Sequence, residues 1–259
     1  MFLAGYGAHW LRRAFRQPHP TEHSKPPSAS SVAMFDMVQR LFHWADFMVL
    51  GSMALTGVAI LSGSIGVLLT RLGMSGVASQ VYWHVTLAWV LLILIVVHVV
   101  WDMVVACGWR NIMPTRTDLM DARIRARNFL GLIHTYPRSP KYDLFMKAFH
   151  WSLTGSLIIL GVTGLYFWNP YSLFPELSYN TEFTFRVLHD VFAFLLLGLI
   201  IGHVYFSLLP VNWPILKAMV MGYISSKDYM RHFSIAKWEP RRSLRAGAQV
   251  ASKIRARFK

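Results

Sequence analysis

Four long runs of apolar residues, each bounded by polar and basic residues, dominate the hydropathy pattern of the chain. Each run lacks Lys and Arg for about 20 residues, which is the length that an α-helix needs to cross the hydrocarbon core of a bilayer. Trp and Tyr lie near the ends of the runs, as in the aromatic belts of membrane proteins. We therefore predict four transmembrane helices: span I at 41–63, span II at 82–105, span III at 148–168 and span IV at 188–209.

The second half of the chain repeats the first. One pattern occurs twice, as Asp36-x-x-x-Arg40-x-Phe42-His43-Trp44 and, 107 residues later, as Asp143-x-x-x-Lys147-x-Phe149-His150-Trp151. Each copy is followed by a Thr-Gly pair, Thr56-Gly57 or Thr163-Gly164. The repeat predicts an all-α membrane protein, a four-transmembrane-helix bundle built from two repeated helical hairpins with short cytoplasmic extensions. Because each repeat has an even number of spans, a pseudo-two-fold axis along the membrane normal is expected to relate the two.

Charge is distributed unevenly about the predicted spans. The chain is 54% hydrophobic with a net charge of +14, and 24 of its 26 Lys and Arg residues lie before span I, between spans II and III or after span IV. The positive-inside rule predicts a multi-pass protein of the inner (cytoplasmic) membrane, with both termini and the II–III loop in the cytoplasm. Orientation and attraction to anionic lipid account for this charge, so no nucleic-acid partner is predicted.

These features divide the chain into five segments. Residues 1–34 are predicted to be a cytoplasmic arm, which has no apolar core of the kind found in signal peptides. The other four segments are hairpin repeat 1 at 35–106, a cytoplasmic basic loop at 107–140, hairpin repeat 2 at 141–209 and a cytoplasmic basic tail at 210–259.

The cysteine content restricts the metal chemistry that the chain can support. Cys107 is the only cysteine, which excludes an internal disulfide, a zinc or iron–sulfur site with several cysteine ligands, and covalent heme attached through C-x-x-C-H. Any resident metal must therefore be held by the 11 histidines.

Six histidines fall within the spans, at three equivalent positions in each half: His43, His84 and His98, and His150, His189 and His203. In spans II and IV the two histidines are 14 residues apart. That spacing points both imidazoles to one side of the helix and separates them by about 21 Å along its axis. His84 and His189 are thus predicted to share the periplasmic level, and the other four histidines the cytoplasmic level.

Facing imidazoles without cysteine and with few acidic residues favour axial ligation of heme iron over a zinc or two-metal site. Two such levels would form an electron path across the membrane. Asp46, one turn from His43, and Asp190, beside His189, are candidate hydrogen-bond partners of the imidazoles or proton relays. Both are also explained as ordinary interface residues near helix ends.

Several motifs resemble those of a known family. They are Arg40-x-x-His43-Trp44 with Thr56-Gly57, His84 at the start of span II, Lys141-Tyr142-Asp143 before span III, His189 and His203 with Tyr205, and Met219-x-x-Gly222 before a basic, aromatic tail ending near Trp238. Over roughly residues 35–238, the chain resembles the membrane b-type cytochromes of the formate dehydrogenase gamma subunit type, the nickel–iron hydrogenase cytochrome b type and the bacterial cytochrome b561 group. The 14-residue histidine pair in span IV is the most specific element.

The resemblance implies two bound b hemes and an anchoring role for a catalytic subunit, reached through an iron–sulfur subunit. It implies His84 and His189 as axial ligands of the outer heme, and His43 and His203 as ligands of the heme nearer the cytoplasm. It also implies a site for quinone, either menaquinone or ubiquinone, beside that inner heme. The family motif lining the quinone site, Lys-Tyr-Asn-x-x-Gln-Lys, reads here Lys141-Tyr142-Asp143-Leu144-Phe145-Met146-Lys147, so Asp143 alone is retained as a candidate quinone residue.

His98 and His150 are not required by the formate dehydrogenase pattern and leave two alternatives open. In one, His98 pairs with His203 across the bundle, as in the cytochrome b of bc complexes, and His43 and His150 are spare. In the other, the pseudo-symmetry that equates His43 with His150 also pairs His150 with His98, which gives a third heme.

The predicted function is a membrane-anchoring b-type cytochrome that passes electrons between the quinone pool and a partner iron–sulfur or catalytic subunit. Such a chain is not expected to be catalytic alone except at a quinone site, so its status as an enzyme is left open. The alternatives are a stand-alone cytochrome b561-like quinone oxidoreductase and a four-helix transporter, since parallel repeats also build transporters.

Overall fold

The computed structural model describes residues 31–71, 73–74, 76–106, 108–133, 138–169, 177–235 and 237–238. Most of the predicted arm at 1–34 and the end of the predicted tail at 210–259 lie outside these residues. The described helices are α1 (Met37–Leu61), α2 (Gly63–Arg71), α3 (Gly76–Trp101), α4 (Trp109–Ile112), α5 (Arg116–Phe129), α6 (Leu144–Trp168), α7 (Tyr179–Leu208), α8 (Trp213–Met221) and α9 (Ser226–His232). The described strands are β1 (Ser31–Ala33) and β2 (Tyr223–Ser225), and a π-helical turn, Asp102–Ala106, extends α3.

The four predicted spans correspond to α1, α3 with its π-helical turn, α6 and α7. These segments have 25, 31, 25 and 30 residues, and each is long and apolar enough to cross a membrane. At most 17% of the most apolar window of each is buried within the protein, as expected for helices whose outer faces are covered by lipid. The prediction of an all-α membrane protein with four transmembrane helices is therefore confirmed.

Each long helix begins before its predicted span, and three of the four begin before a basic residue that precedes the apolar run. Arg40, Lys147 and Arg186 all lie inside helices, in the first two or three turns of α1, α6 and α7. A helical backbone satisfies its own hydrogen bonds whatever its side chains are. The helices therefore continue past the end of the apolar run, into sequence that carries charge.

The contacts divide the described chain into two compact units. The first, which we call the bundle unit, is Leu41–Arg110 with Ala148–Tyr205. The second, which we call the flanking unit, comprises Asn111–Lys147 with the described residues up to Arg40 and from Phe206 onward.

In the bundle unit the four long helices contact one another in a closed order, α1, α3, α6, α7 and back to α1. The contacts are Thr56 with His84, Trp89 with Trp168, Thr163 with His189, and His203 with His43. Helices α3 and α7, which carry the 14-residue histidine pairs, are therefore diagonal to each other. This arrangement places all six span histidines on helices that surround one interior.

The core of the flanking unit joins both ends of the described chain. Strands β1 and β2 pair antiparallel, with Val32 opposite Ile224. The buried side chains are Val32, Met34, Phe35, Ala218, Ile224, Tyr229 and Phe233. Gly222 ends α8 in the left-handed region at φ 92°, which favours glycine. Its carbonyl accepts the N–H groups of Met34 and Phe35 at 2.9 and 3.2 Å.

The repeat-related basic residues Arg40 and Lys147 each hold a segment of the flanking unit. Arg40 Nη1 donates to the Val220 carbonyl at 2.6 Å. Lys147 Nζ lies 2.7 Å from Asp118 Oδ2, and the two side chains are only 6% and 3% exposed. Burial alone would raise the pKa of Asp118, but hydrogen bonds from Lys147 and Thr115 outweigh it and hold that pKa below its ordinary value. Thr115 and Asp118 also form the capping box that begins α5.

Candidate functional site

At the first histidine level, a threonine from the neighbouring helix holds each imidazole. His84 Nδ1 lies 3.0 Å from Thr56 Oγ1, and His189 Nδ1 lies 2.8 Å from Thr163 Oγ1. Each threonine hydroxyl also lies 2.8 to 2.9 Å from a carbonyl of its own helix, Met53 for Thr56 and Ile159 for Thr163. Both threonines are 2% exposed, so these bonds form away from solvent.

The glycine after each threonine leaves space for the imidazole. A Cβ atom on Gly57 would lie 3.2 Å from His84 Cε1, and one on Gly164 would lie 3.4 Å from His189 Cε1. A Cβ atom on Gly51 or Gly161 would meet nothing within 4 Å. The Thr-Gly pairs of the repeat are thus explained, since the first residue bonds the imidazole and the second lets the ring approach the backbone.

Replacing Gly57 with alanine is expected to displace the His84 imidazole and to cost about 1–3 kcal/mol, as overpacking usually does. The thermal midpoint of purified protein is the measurement. Gly51→Ala, on the same helix, is the matched control and is expected to leave the midpoint unchanged or slightly higher. Equal destabilisation by both substitutions would contradict the proposed contact.

At the second histidine level, the ring centroids of His43 and His203 lie 6.1 Å apart. Metal–imidazole bonds are about 2 Å long, so two imidazoles on one metal ion place their centroids about 6 Å apart. Phe149 stacks on His203 at 4.8 Å, and its repeat partner Phe42 stacks on His98 at 4.7 Å. The repeat therefore extends to the packing of these two imidazoles.

The two additional histidines differ in their surroundings. His98 Nδ1 lies 3.1 Å from Asp46 Oδ2, so Asp46 contacts His98 rather than the nearer residue in sequence, His43. His150 packs edge-on against Trp151.

The two remaining candidate carboxylates were Asp190 and Asp143. Asp190 is adjacent to His189 in the sequence, in helix α7. Asp143 lies in the flanking unit, where Oδ2 accepts from Arg125 at 3.3 Å and Oδ1 accepts the Met146 N–H at 3.0 Å. Its carboxylate thus caps the start of α6.

The donor set fits heme better than a bare metal ion. Within the described part of the chain, no group of three or more His, Cys, Asp or Glu side chains could hold a metal ion. Paired imidazoles from facing helices are instead the axial set of a b-type heme. At the first level, the Thr-bonded Nδ1 atoms leave Nε2 as the free ligand atom of each ring.

Paired imidazoles inside a four-helix membrane protein are features of a membrane b-type cytochrome. A family model described as prokaryotic cytochrome b561 matches residues 10–222, and the chain belongs to this family. It is accordingly a multi-pass membrane b-type cytochrome that takes part in electron transfer and binds heme b. Comparison with curated proteins gives no match. The family favours electron transfer over the transporter alternative and confirms the resemblance to the b561 group.

The roles of Thr56, Thr163 and the stacked Phe42 and Phe149 were not predicted from the sequence. All four lie within the repeated motifs, so the repeat contained the signal. The sequence does not give the register between the two helices of each hairpin. That register brings Thr56 to His84 across 28 residues and Thr163 to His189 across 26.

Proposed function

We propose that the chain is the membrane-anchoring b-type cytochrome subunit of a quinone-linked respiratory oxidoreductase. It passes electrons between the quinone pool and a partner iron–sulfur or catalytic subunit. One heme is held by His84 and His189, and the other by His43 and His203. The observation that carries the ligand assignment is the matched geometry of the first level, where both imidazoles are half-buried and bonded at Nδ1 by a buried, repeat-related threonine.

Heme b, when bound, supplies reversible one-electron transfer. The residues of the chain bind and orient it. His84 and His189 would present Nε2 from the diagonal helices α3 and α7, while His43 and His203 would present their imidazoles from α1 and α7. The rings of Phe42 and Phe149 stack on two inner-level imidazoles, those of His98 and His203. Asp143 is the candidate residue for the quinone site.

Two hemes per chain is the primary proposal, and a third held by His98 and His150 is the alternative. The equivalent stacking of Phe42 on His98 and of Phe149 on His203 favours the symmetric alternative. The Asp46 contact, which His203 does not share because Leu153 is at the equivalent position, favours a separate role for His98. Pyridine hemochrome per mole of protein distinguishes them, with two hemes expected and three supporting the symmetric arrangement.

The orientation proposed from the charge distribution puts both termini and the basic II–III loop in the cytoplasm of a cell with an inner membrane. The structured flanking unit, which includes Asn111–Lys147, supports a subunit role, because a free-standing cytochrome would not need this folded segment. The stand-alone quinone oxidoreductase remains the alternative function.

The test is quinol-dependent heme reduction in the protein purified in mild detergent. Menaquinol and ubiquinol analogues are each added under anaerobic conditions, and the b-type α band is followed. At least one quinol is expected to reduce the hemes of the wild type, and His203→Ala is expected to reduce more slowly or incompletely. No reduction by either quinol would reject the quinone link. A chain recovered without other subunits and with full turnover would favour the stand-alone function.

A further inference from the structure

We propose that Thr56 and Thr163 are positioning residues that fix the proton of His84 and His189 on Nδ1 and thereby raise the basicity of both heme ligands. The inference rests on the proposed function, in which these two imidazoles bind one heme. The threonines are not themselves ligands. They act through the histidines, each from the first helix of its own hairpin onto the second.

The direction of each hydrogen bond follows from counting donors. A threonine hydroxyl has one proton and two acceptor lone pairs. Thr56 Oγ1 lies 2.9 Å from the Met53 carbonyl, and Thr163 Oγ1 lies 2.8 Å from the Ile159 carbonyl, and carbonyls can only accept. The hydroxyl proton is therefore directed to its own helix, and the hydroxyl oxygen accepts from Nδ1–H of the histidine. With the proton on Nδ1, the free lone pair of the imidazole is on Nε2.

Other hydroxyl residues of the spans make the intrahelical bond without a histidine. Thr86 donates to the Tyr82 carbonyl and Thr154 to the His150 carbonyl, both at 2.8 Å. The Thr86 hydrogen bond is exposed, whereas Thr56 and Thr163 are 2% exposed. Threonine hydroxyls in these helices thus commonly donate to a carbonyl of the preceding turn. The hydrogen bond to an imidazole is the additional feature of Thr56 and Thr163.

The expected consequence is electronic as well as geometric. A ring N–H that donates to an oxygen makes the opposite nitrogen a stronger donor to the metal, which stabilises the oxidised over the reduced iron. Both threonines act on ligands of the same heme, so their effects should add. Loss of either bond should raise the midpoint potential of that heme and leave the other heme unchanged.

The experiment compares Thr56→Val, Thr163→Val and the double variant with wild type, by optical redox titration and resonance Raman spectroscopy of the purified protein. Valine keeps the shape and removes the hydroxyl. We expect one heme to shift to higher potential in each single variant and further in the double variant, with a change in the iron–histidine vibration. Thr86→Val is the matched control and should titrate as the wild type does. Unchanged potentials in the double valine variant would overturn the proposal.

Serine variants keep the test decisive if valine prevents heme binding. Thr56→Ser and Thr163→Ser retain the hydroxyl and should retain both hemes and the wild-type potentials. A serine variant that loses the heme would overturn the proposal, because packing of the methyl group would then be the essential contribution. Failure of the ligand assignment is detected separately: His84→Ala and His189→Ala would then retain both hemes, whatever the threonine variants do.

Discussion

Replacing His189 with alanine is expected to remove one heme b per chain and to leave the other in place. The imidazole is an axial ligand in the proposed function, and alanine offers the iron no donor. His84→Ala should remove the same heme, because His84 on α3 and His189 on the diagonal helix α7 are the two proposed ligands of that heme. Pyridine hemochrome per mole of purified protein measures the loss, and redox titration shows which potential disappears.

Three further histidine variants test whether the loss of heme is specific to the proposed ligands. His203→Ala should remove the other heme, since its ring lies 6.1 Å from that of His43. His98→Ala should keep the heme content of the wild type if Asp46 holds His98 in a separate role, and should contain one heme fewer than the wild type if His98 and His150 hold a third. His232→Gln, in helix α9 outside the spans, is the matched control and should keep the full complement. Retention of all heme by His189→Ala would refute the ligand assignment.

The hydropathy pattern was sufficient to predict the four spans because a bilayer imposes one length and one composition on every crossing helix. The histidine levels could be predicted for a related reason. A spacing of 14 residues in α3 and α7 fixes both the angle and the rise between the two side chains of each pair. These predictions depend only on the geometry within a single helix.

The contacts that could not be predicted join residues of different elements. Arg40 reaches the Val220 carbonyl across 180 residues, and no local pattern indicates that pairing. The motif before span III was interpreted through the quinone site of the resembling family, yet the side chains of Asp143 and Lys147 bond Arg125 and Asp118 in the flanking unit. The same residues therefore have a structural role there, which only tertiary packing reveals.

Replacing Lys147 with methionine is expected to destabilise the flanking unit by about 3–5 kcal/mol, because it leaves the buried Asp118 carboxylate without its cation. The Lys147–Asp118 pair is 2.7 Å long, and both side chains are almost fully buried. Hydrogen exchange of α5 in the purified protein is the measurement, and its amides should lose protection. The double variant K147M/D118L replaces the pair with apolar groups and should recover most of that protection. Lys237→Met, which breaks the more exposed pair with Asp121, is the matched control and should cost about 1 kcal/mol or less.

The pH dependence separates loss of the ion pair from loss of packing by the lysine side chain. In the wild type the folded pKa of Asp118 lies below its ordinary value of 3.8, so the stabilisation is complete well above that value and is lost as the pH falls through the folded pKa. In Lys147→Met the lowering effect of the lysine is lost, so the folded pKa of Asp118 is higher than in the wild type and the carboxyl is protonated at higher pH. The difference in stability between the two proteins should therefore be largest near neutral pH and should shrink as the pH approaches about 4. A difference that stays constant over this range would mean that Lys147 contributes through its alkyl chain and not through its charge.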